Sequence, residues 1–138
     1  MKRKSVTVQT TIQASLDVVW NSWLEPRHVE KWNAASDDWH TPKAINDVRE
    51  GGRFVYTMAA KDGSVSFDFS GKFEEIIEHK KIVTLLDDDR RVWVSFEQSE
   101  NGVHLQETFE IEDENSEELQ RMGWQAILDN FKKYTESL

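Results

Sequence analysis

The residue of this chain best suited to chemistry is a single carboxylate within an apolar strand pattern. Val103, Leu105, Phe109 and Ile111 alternate along a predicted strand, and Glu107 falls in register with them. Alternate side chains of a strand share one face, so Glu107 is expected to point inward. There the Glu107 carboxylate could accept a hydrogen bond from a ligand hydroxyl, or the carboxyl could have a raised pKa. Two ordinary explanations are preferred at this stage: a β-bulge that turns Glu107 outward, or a salt bridge at the sheet rim.

The other polar residues indicate neither a metal site nor a known catalytic motif. The four histidines, His28, His40, His79 and His104, have no partner at metal-ligand spacing. The chain has no cysteine, which excludes disulfides and a cysteine nucleophile. Phosphate loops, dinucleotide fingerprints and nucleophile elbows are also absent from the sequence. We therefore expect no metal, no cofactor and no catalysis. A cyclase or hydrolase that uses Glu107 as its acid or base is the alternative.

The charge of the chain limits its partners. The net charge is −9, with 26 acids against 17 lysines and arginines. Nucleic acid and anionic lipid both require concentrated positive charge, so neither is expected as a partner. Seven acids lie between Glu107 and Glu118 with no base among them. We expect a solvated strand end and helix start there, and a docking surface for a basic protein is the alternative.

Hydropathy predicts a protein that does not insert into a membrane. No apolar run follows the basic start Met1–Lys4, and no stretch is long enough to span a bilayer. A cytoplasmic monomer is therefore expected. The 138 residues fit a single domain, 1–138.

The first third of the chain predicts one strand and two short helices. Residues 6–12 alternate between apolar and polar side chains, which is typical of a half-buried strand. Ser15 is a suitable N-cap for a helix over Leu16–Leu24. Pro26 ends that helix and is well placed to open a second one through Trp32. Residues 33–42 are polar and are predicted to form a loop.

Six strands and one long helix are predicted to follow. Asp62-Gly63 and Asn101-Gly102 are strong hairpin signals between strands. The predicted strands span 44–49, 54–58, 65–77, 82–86, 92–96 and 103–111. Asn115 is predicted to cap a closing helix through Leu138. Its apolar stripe consists of Leu119, Met122, Gly123, Ala126, Ile127 and Phe131.

The closing helix has no second long helix to pack on, so it must lie on the sheet. Strands followed by a helix indicate an α+β fold with an antiparallel sheet. A curved sheet around one helix tends to leave a cavity between them. The side chains predicted to line this cavity are mostly large and apolar, as small-molecule sites require. They are Trp32, Trp39, Phe54, Tyr56, Met58, Phe67, Phe69, Trp93, Glu107, Met122 and Ala126.

Several short motifs also resemble a known family. They are Ile12-x-Ala14, Val19-Trp20-x-x-Trp23 with Pro26 and Trp32, Gly51-Gly52-x-Phe54, Gly71-Lys72-Phe73-Glu74-Glu75-Ile76, and Gly123-Trp124. In this order and spacing they resemble the heat-shock-protein-90 ATPase activator homologue family over roughly residues 5–135. That family lies within the START-like, birch-pollen-allergen-like (SRPBCC) superfamily. The resemblance implies a helix-grip fold: a curved antiparallel sheet of about seven strands on a long C-terminal helix, with two short helices after strand one.

The resemblance implies a cavity more than an activity. Members of the wider group bind lipids, sterols, flavonoids or polyketides, and some are cyclases or hydrolases. The eukaryotic co-chaperone has a further N-terminal domain without a counterpart here, so chaperone activation is not expected. The leading hypothesis is a binding protein for a small hydrophobic molecule. A protein-interaction or stress-response module ranks second, and an enzyme third.

Overall fold

The computed structural model describes residues 3–138, so Met1 and Lys2 of the basic start lie outside the described residues. Its elements follow one another in the order that the sequence predicts: one strand, two helices, six strands and a long helix. They are β1 (Ser5–Ile12), α1 (Leu16–Leu24), α2 (Pro26–Trp32), β2 (Trp39–Asn46), β3 (Arg53–Ala60), β4 (Ser66–Ile77), β5 (Lys81–Leu86), β6 (Arg91–Ser99), β7 (Gly102–Glu110) and α3 (Glu117–Glu136).

The seven strands form one antiparallel sheet in the order β1-β7-β6-β5-β4-β3-β2. Consecutive strands from β2 to β7 are neighbours, and the chain enters the sheet through β1 beside the last strand. The predicted hairpin glycines adopt positive φ, 79° at Gly63 and 118° at Gly102. Glycine is favoured there because it has no Cβ. The sheet and its helices confirm the predicted α+β helix-grip fold.

The N-terminal helices form where their signals predict. The Val18 N–H donates to Ser15 Oγ at 3.2 Å, so Ser15 caps α1. Pro26 occupies the first turn of α2, where its missing N–H costs no hydrogen bond. Both predicted helices are confirmed with the bounds that the sequence indicates.

The predicted loop over residues 33–42 is wrong in its second half. β2 begins at Trp39, and its Pro42 lies within a register shift between His40 and Lys43. Proline is tolerated in a strand at a sheet edge or at a bulge, because no ladder hydrogen bond is needed from it. β2 is the edge strand of the sheet, so both conditions hold.

The start of α3 differs from the prediction by one residue. Ser116, not Asn115, is the N-cap, and its Oγ accepts from the Leu119 N–H at 3.1 Å. The Asn115 carbonyl accepts instead from Gln120 Nε2 at 2.9 Å. Gln120 also exchanges hydrogen bonds with the backbone of Glu112, at 2.9 and 3.1 Å. The buried Gln120 amide therefore fixes the turn between β7 and α3.

These bonds turn α3 so that its buried stripe differs from the predicted one. Leu119 is 56% exposed and Met122 is 60% exposed, although both were expected to face the sheet. Gln120, Leu128 and Thr135 are buried instead, and Phe131 is buried as predicted. Apolar periodicity did not separate these alternatives, because a polar residue takes the inward position at the start of the stripe.

The helices cover only part of the sheet. α3 lies closest to β1 and also contacts α1 and α2, while α2 packs on β2. The buried core is therefore densest around Ile12, Val103, Leu105, Phe109 and Phe131. The inner faces of β3, β4 and β5 lie farther from α3, and the space between them is the cavity described next.

Candidate ligand-binding cavity

A cavity of about 400 Å³ separates α3 from the inner face of the sheet. Every strand from β3 to β7 contributes a wall residue, and all three helices complete the lining. Its lining side chains from the strands are Phe54, Tyr56, Met58, Phe67, Phe69, Phe73, Ile82, Thr84, Val92, Val94 and Glu107. The others include Trp23, Leu24, Trp32, Asn33, Ala35, Arg90, Glu112, Asn115, Leu119, Gln120, Gly123, Trp124 and Ile127. The volume lies within the range of small-molecule sites, roughly 300–1,000 Å³.

Two stacked aromatic pairs form part of the cavity wall. Trp23 and Trp32 stack with their ring centroids 4.9 Å apart, and Trp32 Nε1 donates to the Ser22 carbonyl at 2.9 Å. Trp124 of α3 stacks on Phe109 of β7 at 4.2 Å. Since each indole is held by a stacked aromatic partner, these rings form a preformed apolar surface.

Glu107 points into this cavity. It lies between Val8 of β1 and Val94 of β6 in the ladder, and it is 7% exposed. In the part of the chain that the structure describes, its carboxyl receives no side-chain hydrogen bond or ion pair. Burial in this apolar setting raises the pKa of Glu107 to about 8. The expected bulge or rim salt bridge is therefore wrong, and the Glu107 side chain lies on the inner face of β7.

Tyr56 is the second polar group of the inner wall, but its hydroxyl is already paired. Asn46 Nδ2 donates to Tyr56 Oη at 3.0 Å, and the hydroxyl lies 3.3 Å from Asn46 Oδ1. Burial raises the pKa of Tyr56, and the nearby Glu107 carboxyl adds to this shift. Asn46 also donates to the Leu24 carbonyl at 2.6 Å, which fixes the pair. Tyr56 therefore shapes the wall and has little hydrogen-bonding capacity left for a ligand.

The remaining charged groups of the lining have partners of their own. Arg90 Nε lies 2.7 Å from Asp88 Oδ2. Glu112 Oε1 accepts from the Asn115 N–H at 2.7 Å. Glu107 is thus the cavity carboxyl without a protein partner among residues 3–138.

Seven of the eleven predicted site residues lie together in the lining. They are Trp32, Phe54, Tyr56, Met58, Phe67, Phe69 and Glu107. Strand alternation predicts these positions well, because Tyr56 faces Phe69 and Met58 faces Phe67 across the β3–β4 ladder.

The other four predicted residues lie elsewhere. Trp93 falls between Val92 and Val94, which line the cavity, so it points to the opposite face of the sheet. Trp39 lies outside the lining, 6.0 Å from the Phe67 ring, and borders a separate polar groove. Met122 is exposed and Ala126 is half-buried outside the lining, because α3 is turned as described above.

Several wall residues were not predicted from the sequence. Val92 and Val94 could have been found, since alternation in β6 places both on one face. Phe73, Ile82 and Trp124 required the actual strand register and the rotation of α3. No sequence pattern marks Trp124 as inward while Met122, two residues earlier, faces solvent.

The acidic segment from Glu107 to Glu118 is engaged in part by contacts within the chain. Glu110 Oε1 accepts from the Arg91 N–H at 2.6 Å. Glu117 lies 2.7 Å from Lys4 Nζ and 3.7 Å from Arg121. These contacts reduce the negative charge that this face presents to a partner, and docking of a basic protein there stays an untested prediction.

Neither a metal cluster nor a membrane span is found within residues 3–138. The described histidines and acids form no group of three suited to a metal ion. None of the helices in this range combines the length and the apolar character needed to cross a bilayer.

A long C-terminal helix on a curled seven-stranded antiparallel sheet, with two short helices after β1, defines the helix-grip class of START-like proteins. Members of this class commonly bind hydrophobic ligands. Residues 13–136 match the family described as Activator of Hsp90 ATPase homolog 1-like protein, and the chain belongs to that family. The link to Hsp90 comes from the family's name.

Solved structures agree with this assignment. An AHSA1-like protein from Aeromonas hydrophila is 41% identical, with 97% of this chain and 93% of that one covered and a TM-score of 0.92. A protein from Cytophaga hutchinsonii is 44% identical, with 96% and 92% covered and a TM-score of 0.83. A Chromobacterium violaceum protein shares the fold at 20% identity, with 96% and 98% covered and a TM-score of 0.86. No curated protein matches the sequence.

Proposed function

We propose that this protein binds a small hydrophobic molecule in the cavity between α3 and the sheet. The observation that carries the proposal is the cavity of about 400 Å³ with rigid aromatic walls and one unpaired buried carboxyl. A space filled only by packing would not be expected to retain this volume, because protein interiors are close-packed. The ligand class covers lipids, sterols, flavonoids and polyketide-like aromatics.

The size of the cavity sets the expected affinity. A flat ligand that buries about 300 Å² of apolar surface gains roughly 7 to 8 kcal/mol at 25 cal/mol per Å². Association costs several kcal/mol of this gain. A dissociation constant in the micromolar range or weaker is therefore expected. Such an affinity suits a carrier or sensor that exchanges its ligand.

A titration monitored by backbone amide shifts tests the proposal. The isotope-labelled protein is titrated with a panel of lipids, sterols, flavonoids and polyketide-like aromatics. We expect saturable shifts that concentrate at Tyr56, Phe67, Gly123 and Trp124 for at least one class. Shifts confined to the outer face of the sheet, or none with any class, would contradict a ligand cavity.

Gly123 offers a matched pair of variants for this titration. It lies on α3 one turn from Leu119 and one turn from Ile127, which both line the cavity, and a Cβ built at Gly123 meets no atom within 4 Å. Gly123→Trp fills the cavity and is expected to weaken binding at least about tenfold, which corresponds to 1.4 kcal/mol. Gly123→Ala adds one methyl group and should bind like the unchanged protein. Equal binding by both variants would place the ligand elsewhere.

A further inference from the structure

The cavity contains one carboxyl that the described residues of the protein leave without a partner. Glu107 is 93% buried, and its carboxyl faces the cavity without a partner among the described residues. The neighbouring Tyr56 hydroxyl is occupied by Asn46, and Arg90 is paired with Asp88. An unpaired buried polar group is costly, so its most favourable state is one in which a ligand satisfies it.

The surroundings of Glu107 favour a neutral ligand group over a charged one. Its neighbours in the ladder are the apolar Val8 and Val94, and the nearby Tyr56 hydroxyl is already bonded to Asn46. A buried ion pair is stable only when further hydrogen bonds satisfy its remaining donors and lone pairs. The side chains of Val8 and Val94 beside Glu107 supply none. The raised pKa of about 8 agrees with a carboxyl that is protonated at neutral pH.

The exposure of the lining gives the ligand a direction. Glu107 lies at the buried end, whereas Phe67 is 49% exposed and Leu119 is 56% exposed where the cavity meets solvent. Both of these outer residues are apolar. A ligand with its polar group at Glu107 would therefore extend its apolar part outward between Phe67 and Leu119.

We propose that the cavity selects an apolar ligand with one neutral hydroxyl group, which is inserted first and hydrogen-bonds to the Glu107 carboxyl while the apolar end remains at the Phe67–Leu119 opening. This inference rests on the proposed function and adds the chemical class and the orientation of the ligand. The protonated carboxyl supplies one donor and one acceptor, which match the acceptor and donor of a hydroxyl.

Three aromatic probes of similar shape test the inference. They are naphthol, methylnaphthalene and aminomethylnaphthalene, substituted at the same ring position and titrated at neutral pH. Naphthol is expected to bind about tenfold more tightly than methylnaphthalene, since one buried hydrogen bond contributes roughly that factor. The ammonium probe is expected to bind more weakly than naphthol. Intermolecular contacts from the unsubstituted ring to Leu119 and Phe67 would support the orientation.

Two substitutions at one position provide the controls. Glu107→Gln keeps a neutral donor and acceptor and should retain the preference for naphthol. Glu107→Leu removes both and should bind methylnaphthalene at least as well as naphthol. Because neither change introduces a buried charge, both variants are expected to fold, and their spectra establish this directly.

The outcomes separate this inference from the proposed function. If naphthol and methylnaphthalene bind equally well to the unchanged protein, the cavity function stands and the role of Glu107 is refuted. Tightest binding of the ammonium probe would refute the neutral class, and ring contacts at Tyr56 in place of Leu119 would refute the orientation. If none of the probes and none of the panel compounds binds, the proposed function itself fails.

Discussion

Glu107 shows how position within a strand determines the chemistry of a single residue. On a sheet edge the same carboxylate would be solvated, but on the inner face of β7 it lies 7% exposed beside two valines. Burial disfavours the charged form and raises the pKa from 4.5 to about 8. The cost of this residue to stability therefore depends on pH, which makes it measurable without a ligand.

We predict that Glu107→Gln stabilises the protein increasingly as pH rises from about 4.5 to 8. In this window the folded state keeps the Glu107 proton and the unfolded state releases it, so the unchanged protein loses stability as pH rises. The loss is at most about 1.4 kcal/mol per pH unit. Urea unfolding of both proteins at pH 4, 6 and 8 measures the difference, which should be small at the lowest pH and level off above pH 8.

Glu74 provides a control whose substitution should change the stability in the opposite direction. Its hydrogen bond with Arg91 lowers the pKa of the Glu74 carboxyl, so its contribution is present above the ordinary pKa of 4.5 and is lost as pH falls. Glu74→Gln should therefore differ from the unchanged protein mainly above that pH, and by destabilisation. The comparison of the unchanged protein with Glu107→Gln leaves the other ionisable groups of the cavity in place. These groups are Tyr56, Arg90 and Glu112. An effect of Glu107→Gln that does not depend on pH would contradict the buried, protonated carboxyl.

At the scale of elements, α3 decides whether the interior is a core or a cavity. Its C-terminal half packs Leu128 and Phe131 into the core, whereas its N-terminal half presents Gly123 and Trp124 to open space. Glycine in a helix interior is destabilising, so its place here suggests that space matters more than helix stability. The loss of stability that Gly123 causes can be measured.

Gly123→Ala is expected to stabilise the protein by about 1 kcal/mol, because alanine has a much higher helix propensity and the new Cβ meets no atom within 4 Å. Gly71→Ala is the matched control. A Cβ at Gly71 would lie 2.4 Å from the Leu85 carbonyl oxygen across the β4–β5 pair, so this variant should lose stability. Thermal unfolding of both variants distinguishes the two glycines, and destabilisation by Gly123→Ala would contradict an open space beside α3.

At the scale of the whole molecule, the three helices pack unevenly on the sheet. α3 lies against β1 and α2 packs on β2, whereas the inner face of the middle strands borders the cavity. This arrangement allows a ligand to become part of the core when it binds. Binding should therefore stabilise the entire fold, not just the site.

We predict that naphthol at about 100 times its dissociation constant stabilises the folded state by about 2.7 kcal/mol. For a domain of this size the midpoint of thermal unfolding should rise by roughly 10 °C. Scanning calorimetry at several ligand concentrations measures the rise. Because Gly123→Trp is expected to bind at least about tenfold more weakly, its midpoint should rise by about half as much or less under the same conditions. A rise of the same size in that variant would point to binding outside the cavity.

The sequence by itself determined the order of the elements, the α+β class and most of the strand faces. Strand alternation has a period of two, so Phe54, Tyr56 and Met58 could only share one face. The same alternation placed Glu107 inward with the apolar residues of its own strand. The family resemblance added the helix-grip topology. These features depend on local patterns, which a sequence records directly.

The tertiary structure alone decided the rotation of α3, the length of β2 and the environment of Glu107. A helix stripe is broad, and the hydrogen bonds of Gln120 to the backbone of Glu112 and Asn115 fixed which residues face inward. The length of β2 depended on its place at the sheet edge, where Pro42 is tolerated. Whether Glu107 had a partner depended on side chains from distant strands. Such contacts join residues far apart in the chain, so no local pattern specifies them.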